Sequence, residues 1–301
     1  QPQLKNRRVD VRLLEEGMET FVLGLSAKTL LANPMGGLWN NLSVIGYDSI
    51  STPYAWLGAF AYSFQIYFDF SGYSMMAIGV GKMLGFQLPQ NFNLPYMSGT
   101  AGEFWRRWHI TLGRWFKNYI YFPLGGSRVG KWKTMRNMLA VWAFTGLWHG
   151  ASWNFVLWGL YYFVFLMLEK MYIGKILEKL PRAVGHIYSL IVVIIGWVFF
   201  YFDDLSKIKY FFKAAFGAAN GFVTLTEKTV IVNYAVLLII GAVCAMPLLP
   251  RIKNFAGSLS KTRSGKVTVD VLSVLFVIFS LAISTASLVG NSYNPFLYFR
   301  F

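Results

Sequence analysis

Residues 139–168 read LAVWAFTGLWHGASWNFVLWGLYYFVFLML, a run without a formal charge that is interrupted in its middle by Gly146, Gly150 and Ser152. A membrane-spanning helix needs roughly 20 mostly apolar residues, so the run is too long for one upright helix. It reads as two helical pieces meeting at a bend, with His149 at or beside the turn. The flanking charges extend that reading. Arg106, Arg107, Arg114, Lys117, Arg128, Lys131, Lys133 and Arg136 precede the run, and Lys170, Lys175, Lys179 and Arg182 follow it. Cytoplasmic loops are enriched in Lys and Arg, so both flanks are expected on that side and residues 139–168 are expected to re-enter or bend rather than cross. Irregular backbone at membrane depth survives only when buried in protein or lining a cavity.

Outward from this segment, three further stretches carry no charge: Ile187 to Phe202, Ile231 to Leu249 and Val271 to Gly290. Phe60 to Val80 is interrupted by Asp69, and the shorter Phe21 to Ala32 contains Lys28. Glu103 to Phe122, EFWRRWHITLGRWFKNYIYF, mixes aromatic and basic residues; with the charges up to Arg136 it is expected to form an amphipathic segment, residues 103–136, at the cytoplasmic interface. Arg251, Lys253, Lys261, Arg263 and Lys266 form the next basic cluster. Residues 202–230 are expected outside, with Lys207, Lys209 and Lys213 on an interfacial helix.

Composition agrees with a bilayer as solvent. Only 14% of the 301 residues are charged, against about 25% in an ordinary soluble domain. The net charge of +15 lies between apolar runs rather than along one face or tail, which argues for loop charges and against a nucleic-acid partner. A single cysteine, Cys244, excludes an intrachain disulfide and a multi-cysteine metal site. No solenoid-type repeat or soluble domain boundary is visible, so residues 1–301 are expected to form one all-α, polytopic transmembrane bundle. The chain opens on Gln1 and a polar stretch carrying Lys5, Arg7, Arg8 and Arg12. It is read as N-terminally incomplete.

An ionisable group inside a membrane segment costs about 2.5–3.5 kcal/mol at the helix centre on insertion scales, so its presence asks for a reason. Three residues qualify: His149 in TGLWHGASW, His109 in FWRRWHITL and Asp69 in SFQIYFDFSGYS. His186 opens an apolar span beside a basic loop and reads as interfacial. Two readings of His149 stand side by side. It is a neutral imidazole bonding helices together, or, with Gly150, Ala151 and Ser152 leaving room between Trp148 and Trp153, a base open to a substrate. An apolar setting keeps the ring neutral and able to accept a proton from a hydroxyl. His109 similarly reads as a headgroup or carbonyl contact or as a functional ring, and Asp69 as a buried partner for a cation or helix N-terminus or as a site residue. No Gly-rich phosphate loop, HExxH, GxSxG or paired carboxylates appear.

Four passages carry a resemblance: QIYFDFSGYSMMAIGVGKMLGFQLPQNFNLPY (residues 65–96), FWRRWHITLGRWFKNYIYFPLGGSR (104–128), GLWHGASWNFVLWG (146–159) and NPFLYFRF (294–301). Together, in this order, they resemble the membrane-bound O-acyltransferase family, in the branch of alginate O-acetylation and, more distantly, teichoic-acid D-alanylation. The likeness runs along the whole chain and is densest from Phe64 to Gly159. It implies a many-helix fold with a thin centre, reached by an acyl donor from the cytoplasm and an acceptor from outside, and several helices ahead of Gln1. On the family pattern His149 matches the essential histidine and His109 the second characteristic one. Met75 stands where the pattern has an acidic residue after FSGYS, so the polar contact of that residue is missing from the expectation.

The resemblance implies acetyl transfer from a thioester co-substrate, acetyl-CoA or another acyl thioester, towards hydroxyls of an exported polysaccharide such as alginate, directly or through a periplasmic acetyltransferase partner. His149 and His109 are then the catalytic pair. Arg106, Arg107, Arg114 and Trp105 are expected at the donor, and Trp148, Trp153, Asn154 and Asp69 at the substrate. No metal and no permanently bound cofactor are expected, and the place is the inner (cytoplasmic) membrane, crossed several times amid lipid. Two other classes fit the same residues: a proton- or solute-coupled transporter, and a non-catalytic membrane subunit that docks an acetyltransferase. Label from acetyl-CoA appearing in a product separates the first reading from both.

Overall fold

A computed structural model of the chain describes residues 10–217 and 222–290, and the closing NPFLYFRF lies outside the described residues. Among the described residues every regular element is helical. Asp10 starts the first helix, α1 (Val11–Ser26), by accepting from the Leu13 N–H at 2.8 Å, which satisfies one of the orphan donors of a first turn. A π-helical turn, Ala27–Ala32, leads straight into α2 (Asn33–Ile45). The stretch Phe21 to Ala32 is therefore part of a longer helical run, with Lys28 inside the π turn.

The 32-residue α3 (Thr52–Met83) follows. The two short helices α4 (Ala101–Arg107) and α5 (Ile110–Phe116) are separated by Trp108 and His109. Next come α6 (Lys131–His149) and α7 (Trp153–Leu168), the latter prolonged through a π turn to Leu177. The chain continues with α8 (Arg182–Tyr201), α9 (Leu205–Ala215), α10 (Leu225–Cys244), α11 (Leu248–Leu259) and α12 (Arg263–Gly290). Among the described residues four helices are long and apolar enough to cross a bilayer: Trp153–Leu177, Arg182–Tyr201, Leu225–Cys244 and Arg263–Gly290. The protein is an all-α integral membrane protein. On α9, Ile208, Phe211, Ala214 and Ala215 are buried while Lys207, Lys209 and Lys213 stay exposed.

Two compact units divide these helices. One gathers residues 10–37, 64–90 and 234–290. Its α1 and the second half of α3 run antiparallel in close contact through glycines. A Cβ on Gly24 would lie 2.5 Å from the Gly72 carbonyl oxygen, and one on Gly79 would lie 2.6 Å from the Gly17 carbonyl oxygen. Small residues that let backbones approach are the usual means of helix association in lipid, where burial of apolar surface gives no drive. One turn beyond Gly24 the same register brings Lys28 to Asp69, an ion pair with the two residues 6% and 2% exposed. On α12, Ser284 meets Ser26 of α1 at 3.1 Å between hydroxyl oxygens.

The other unit holds residues 38–63, 91–217 and 222–233. Aromatic rings form its interior. Trp105, Trp142, Trp158 and Tyr162 contact one another with centroids 4.7–5.9 Å apart. Trp108 and Trp197 continue the lattice at 4.8 Å. The chain closes part of it with the fully buried carboxylate of Glu227, which accepts the Ser51 and Thr224 N–H groups, each at 2.8 Å.

Candidate active site

α6 and α7 fold back on each other as an antiparallel hairpin, and its glycines decide how tightly. A Cβ on Gly146 would lie 2.5 Å from the Phe155 carbonyl oxygen, and one on Gly159 would lie 2.5 Å from that of Trp142. The break falls at Gly150–Ser152, where a Cβ on Gly150 would strike the Phe155 ring at 2.7 Å. His149 is the last residue of α6 and is 8% exposed. Its ring lies 4.9 Å from Trp148, 5.0 Å from Trp158, 5.0 Å from Phe200 and 6.1 Å from Phe155, centroid to centroid. Asn154 secures the wall by donating from Nδ2 to the Phe200 carbonyl at 3.1 Å.

His109 meets the same indole, 6.1 Å from Trp148, and the two histidines are near enough to interact electrostatically. Its backbone is left-handed, φ 43° and ψ 55°, a conformation that costs a non-glycine residue about 1–3 kcal/mol and persists only where the surroundings impose it. Those surroundings are residues 91–93. Asn93 N–H donates to the Arg107 carbonyl and Ile110 N–H to the Asn91 carbonyl, both at 3.0 Å. The Asn91 Oδ1 accepts from the Thr111 N–H at 3.2 Å and hydroxyl at 2.6 Å, and faces His109 Nδ1 at 3.3 Å. An oxygen fixed as acceptor by a backbone N–H assigns the proton of the neutral ring to Nδ1, so Nε2 carries the lone pair. Burial pushes the His109 imidazole down to about 4, and the ring is neutral at pH 7.

The other expected site residues divide. Arg106 and Arg114 are exposed on this arm, whereas Arg107 is tied to Glu103 at 2.8 Å and to the Asn93 carbonyl at 3.2 Å. Trp105 does not face outward with the arginines. It sits in the aromatic lattice against Trp142, Trp158 and Tyr162, because on a helix as short as α4 one face must fill the core. Trp148 is half exposed and Trp153, at 72%, lies open at the start of α7. Asp69 belongs to the other unit, where it pairs with Lys28. His186 faces the Ser98 carbonyl at 3.3 Å. Asn91, Phe200 and Trp158 had no local signal in the sequence as neighbours of the histidines. Glu169 also went unread: from the π turn after α7 its carboxylate accepts the Ala101 and Gly102 N–H groups at 2.6 and 2.9 Å, anchoring the start of the arm that ends in His109.

The family model described as MBOAT, membrane-bound O-acyltransferase family, matches residues 39–212, which include both histidines. The probable alginate O-acetylase AlgI of Azotobacter vinelandii is 32% identical over 324 residues, covering 99% of this chain and 64% of the relative. The peptidoglycan O-acetyltransferase of Helicobacter pylori is 37% identical over 225 residues, 72% of this chain and 42% of the relative. The teichoic acid D-alanyltransferase of Bacillus subtilis is 30% identical over 163 residues, 51% of this chain and 40% of the relative. The chain thus spans a little under two thirds of the length of the alginate-type relatives it matches.

Proposed function

The chain belongs to the membrane-bound O-acyltransferase family, and from that premise we propose that it transfers an acetyl group from a thioester, acetyl-CoA or a similar donor arriving from the cytoplasm, towards hydroxyls of an exported cell-surface polysaccharide. The observation that carries the reading is His149, held buried at the end of α6, with His109 meeting the same indole, that of Trp148. The relatives described as alginate and peptidoglycan O-acetylating enzymes support the polysaccharide class.

In the reaction the acceptor oxygen attacks the thioester carbonyl carbon while His149 takes its proton. The C–S bond then breaks, the thiolate recovers the proton, and an ester and a free thiol leave. Proton transfer by a positioned base contributes about 10²–10⁴ in rate. Aromatic walls exclude water that would otherwise compete for the thioester. Polarising the carbonyl would require His109 as an N–H donor or a cation, and the Asn91 contact and the low pKa oppose both. His109 instead orients the reactants by accepting a hydrogen bond at Nε2. Arg106 and Arg114 attract the donor's phosphates through exposed charge. Acceptance from the enzyme occurs directly or by way of a periplasmic partner, at the inner membrane.

The test is His149→Ala in the full-length protein, with acetyl content of the exported polysaccharide measured at matched protein level. A loss of about 10²-fold or more is expected. Undiminished acetylation would sink the reading.

A further inference from the structure

Away from the histidines, at the opposite end of α6, lies a cavity of about 380 Å³ lined by Ser127, Gly130, Lys131, Thr134, Lys170 and an apolar wall of Met167, Met171 and Tyr172. Its polar side is built from donors. Gly130 precedes α6 and offers no side chain to cap it, and the first turn holds no acidic residue, so the opening N–H groups have no partner within the helix. Lys131 and Lys170 flank them, and among the described residues neither forms an ion pair. Thr134 is only 5% exposed yet lines the cavity, and among the described residues its hydroxyl has no hydrogen-bond partner. The lining includes no carboxylate. Two lysines, the uncapped start of a helix and a buried threonine lining one space match a phosphate group.

We propose that this cavity binds the phosphate of a phosphate ester, separately from the acyl-transfer centre. Separation follows from length: 19 residues of helix span about 27 Å, so an anion at the start of α6 is far out of hydrogen-bonding reach of His149 at its end. The apolar wall beside the lysines fits an anionic phospholipid, whose headgroup carries the phosphate and whose chains cover the methionines and Tyr172. A soluble phosphate presents the same chemistry without using that wall.

The experiment measures binding rather than activity, so it succeeds or fails independently of the acyl-transfer reading. Purified, delipidated protein in detergent is titrated with phosphatidylglycerol, phosphatidylcholine and inorganic phosphate, following bound lipid by native mass spectrometry and the thermal midpoint in parallel. Phosphatidylglycerol is expected to bind and to raise the midpoint. Lys131→Gln with Lys170→Gln is expected to weaken it about thirtyfold, at about a factor of five for each cation near the surface. Both lysines are exposed, so the fold survives the change, and Lys133→Gln serves as the control that leaves affinity unaltered. Thr134→Val is expected to weaken binding about fivefold, with Thr134→Ser restoring it. Saturation by inorganic phosphate with no gain from lipid assigns the site to a soluble phosphate. Equal binding of every anion by wild type and the double variant, or no binding by either, overturns the proposal.

Discussion

The two units bury polarity in opposite ways. Around Lys28 and Asp69, glycines bring α1 and α3 together until a cation and an anion meet and settle each other's charge inside the same crossing. Around His149, glycines again bring two helices together, but the group they deliver is an imidazole at a helix end among aromatic faces. Close approach is thus a common device with two outcomes: it locks an ion pair in one unit and seats a buried imidazole among aromatic rings in the other.

The largest effect should come from breaking the lock on one side. Asp69→Ala leaves Lys28 buried without its partner and is expected to cost about 3–5 kcal/mol, read as a lowered unfolding midpoint in detergent. Replacing both, Lys28→Met with Asp69→Leu, should recover most of that loss; a double variant as unstable as the single one would mean the pair does more than compensate itself. Next in size are the glycines. Gly24→Ala and Gly146→Ala each force a methyl against a carbonyl oxygen and are expected to cost about 1–3 kcal/mol. Only Gly146→Ala should also reduce acetylation at a temperature where both variants remain folded. Equal activity loss in both would erase the contrast between a structural crossing and a catalytic one.

The smallest effect concerns His109. Its imidazole, pushed down to about 4 by burial, binds a proton less readily folded than unfolded. Between pH 6.5 and 4 the unfolded chain therefore takes up more protons, and stability is lost as pH falls through that window. The thermal midpoint should decline from pH 7 to 4.5 in the wild type and decline less in His109→Asn, which also suits a left-handed backbone. Parallel curves would show that the ring is not held neutral by its surroundings.

Much of this was legible along the chain. Gly146, Gly150 and Ser152 punctuate a run too long for one helix, and the break falls at Gly150–Ser152. Asp69 and Lys28 each stood out as charges in apolar stretches, but nothing local joins residues 41 positions apart. The same barrier hid Asn91 from His109 and Phe200 from His149, since those contacts depend on how helices pack rather than on spacing. Trp105 shows a different limit. Arginines beside an indole suggest an interface, and only the packing of α4 reveals that its ring turns inward. The bends that position His109 depend on a backbone conformation that no residue type at 109 announces.

The direction of α6 has an electrical consequence. A helix carries partial positive charge at its start and partial negative charge at its end. His149 occupies the negative pole, so on the proposed role as base, an imidazolium formed there would be favoured by the peptide groups behind it by about 0.3–1 kcal/mol. A short-lived charge on that ring would thus meet a counterweight built from backbone alone.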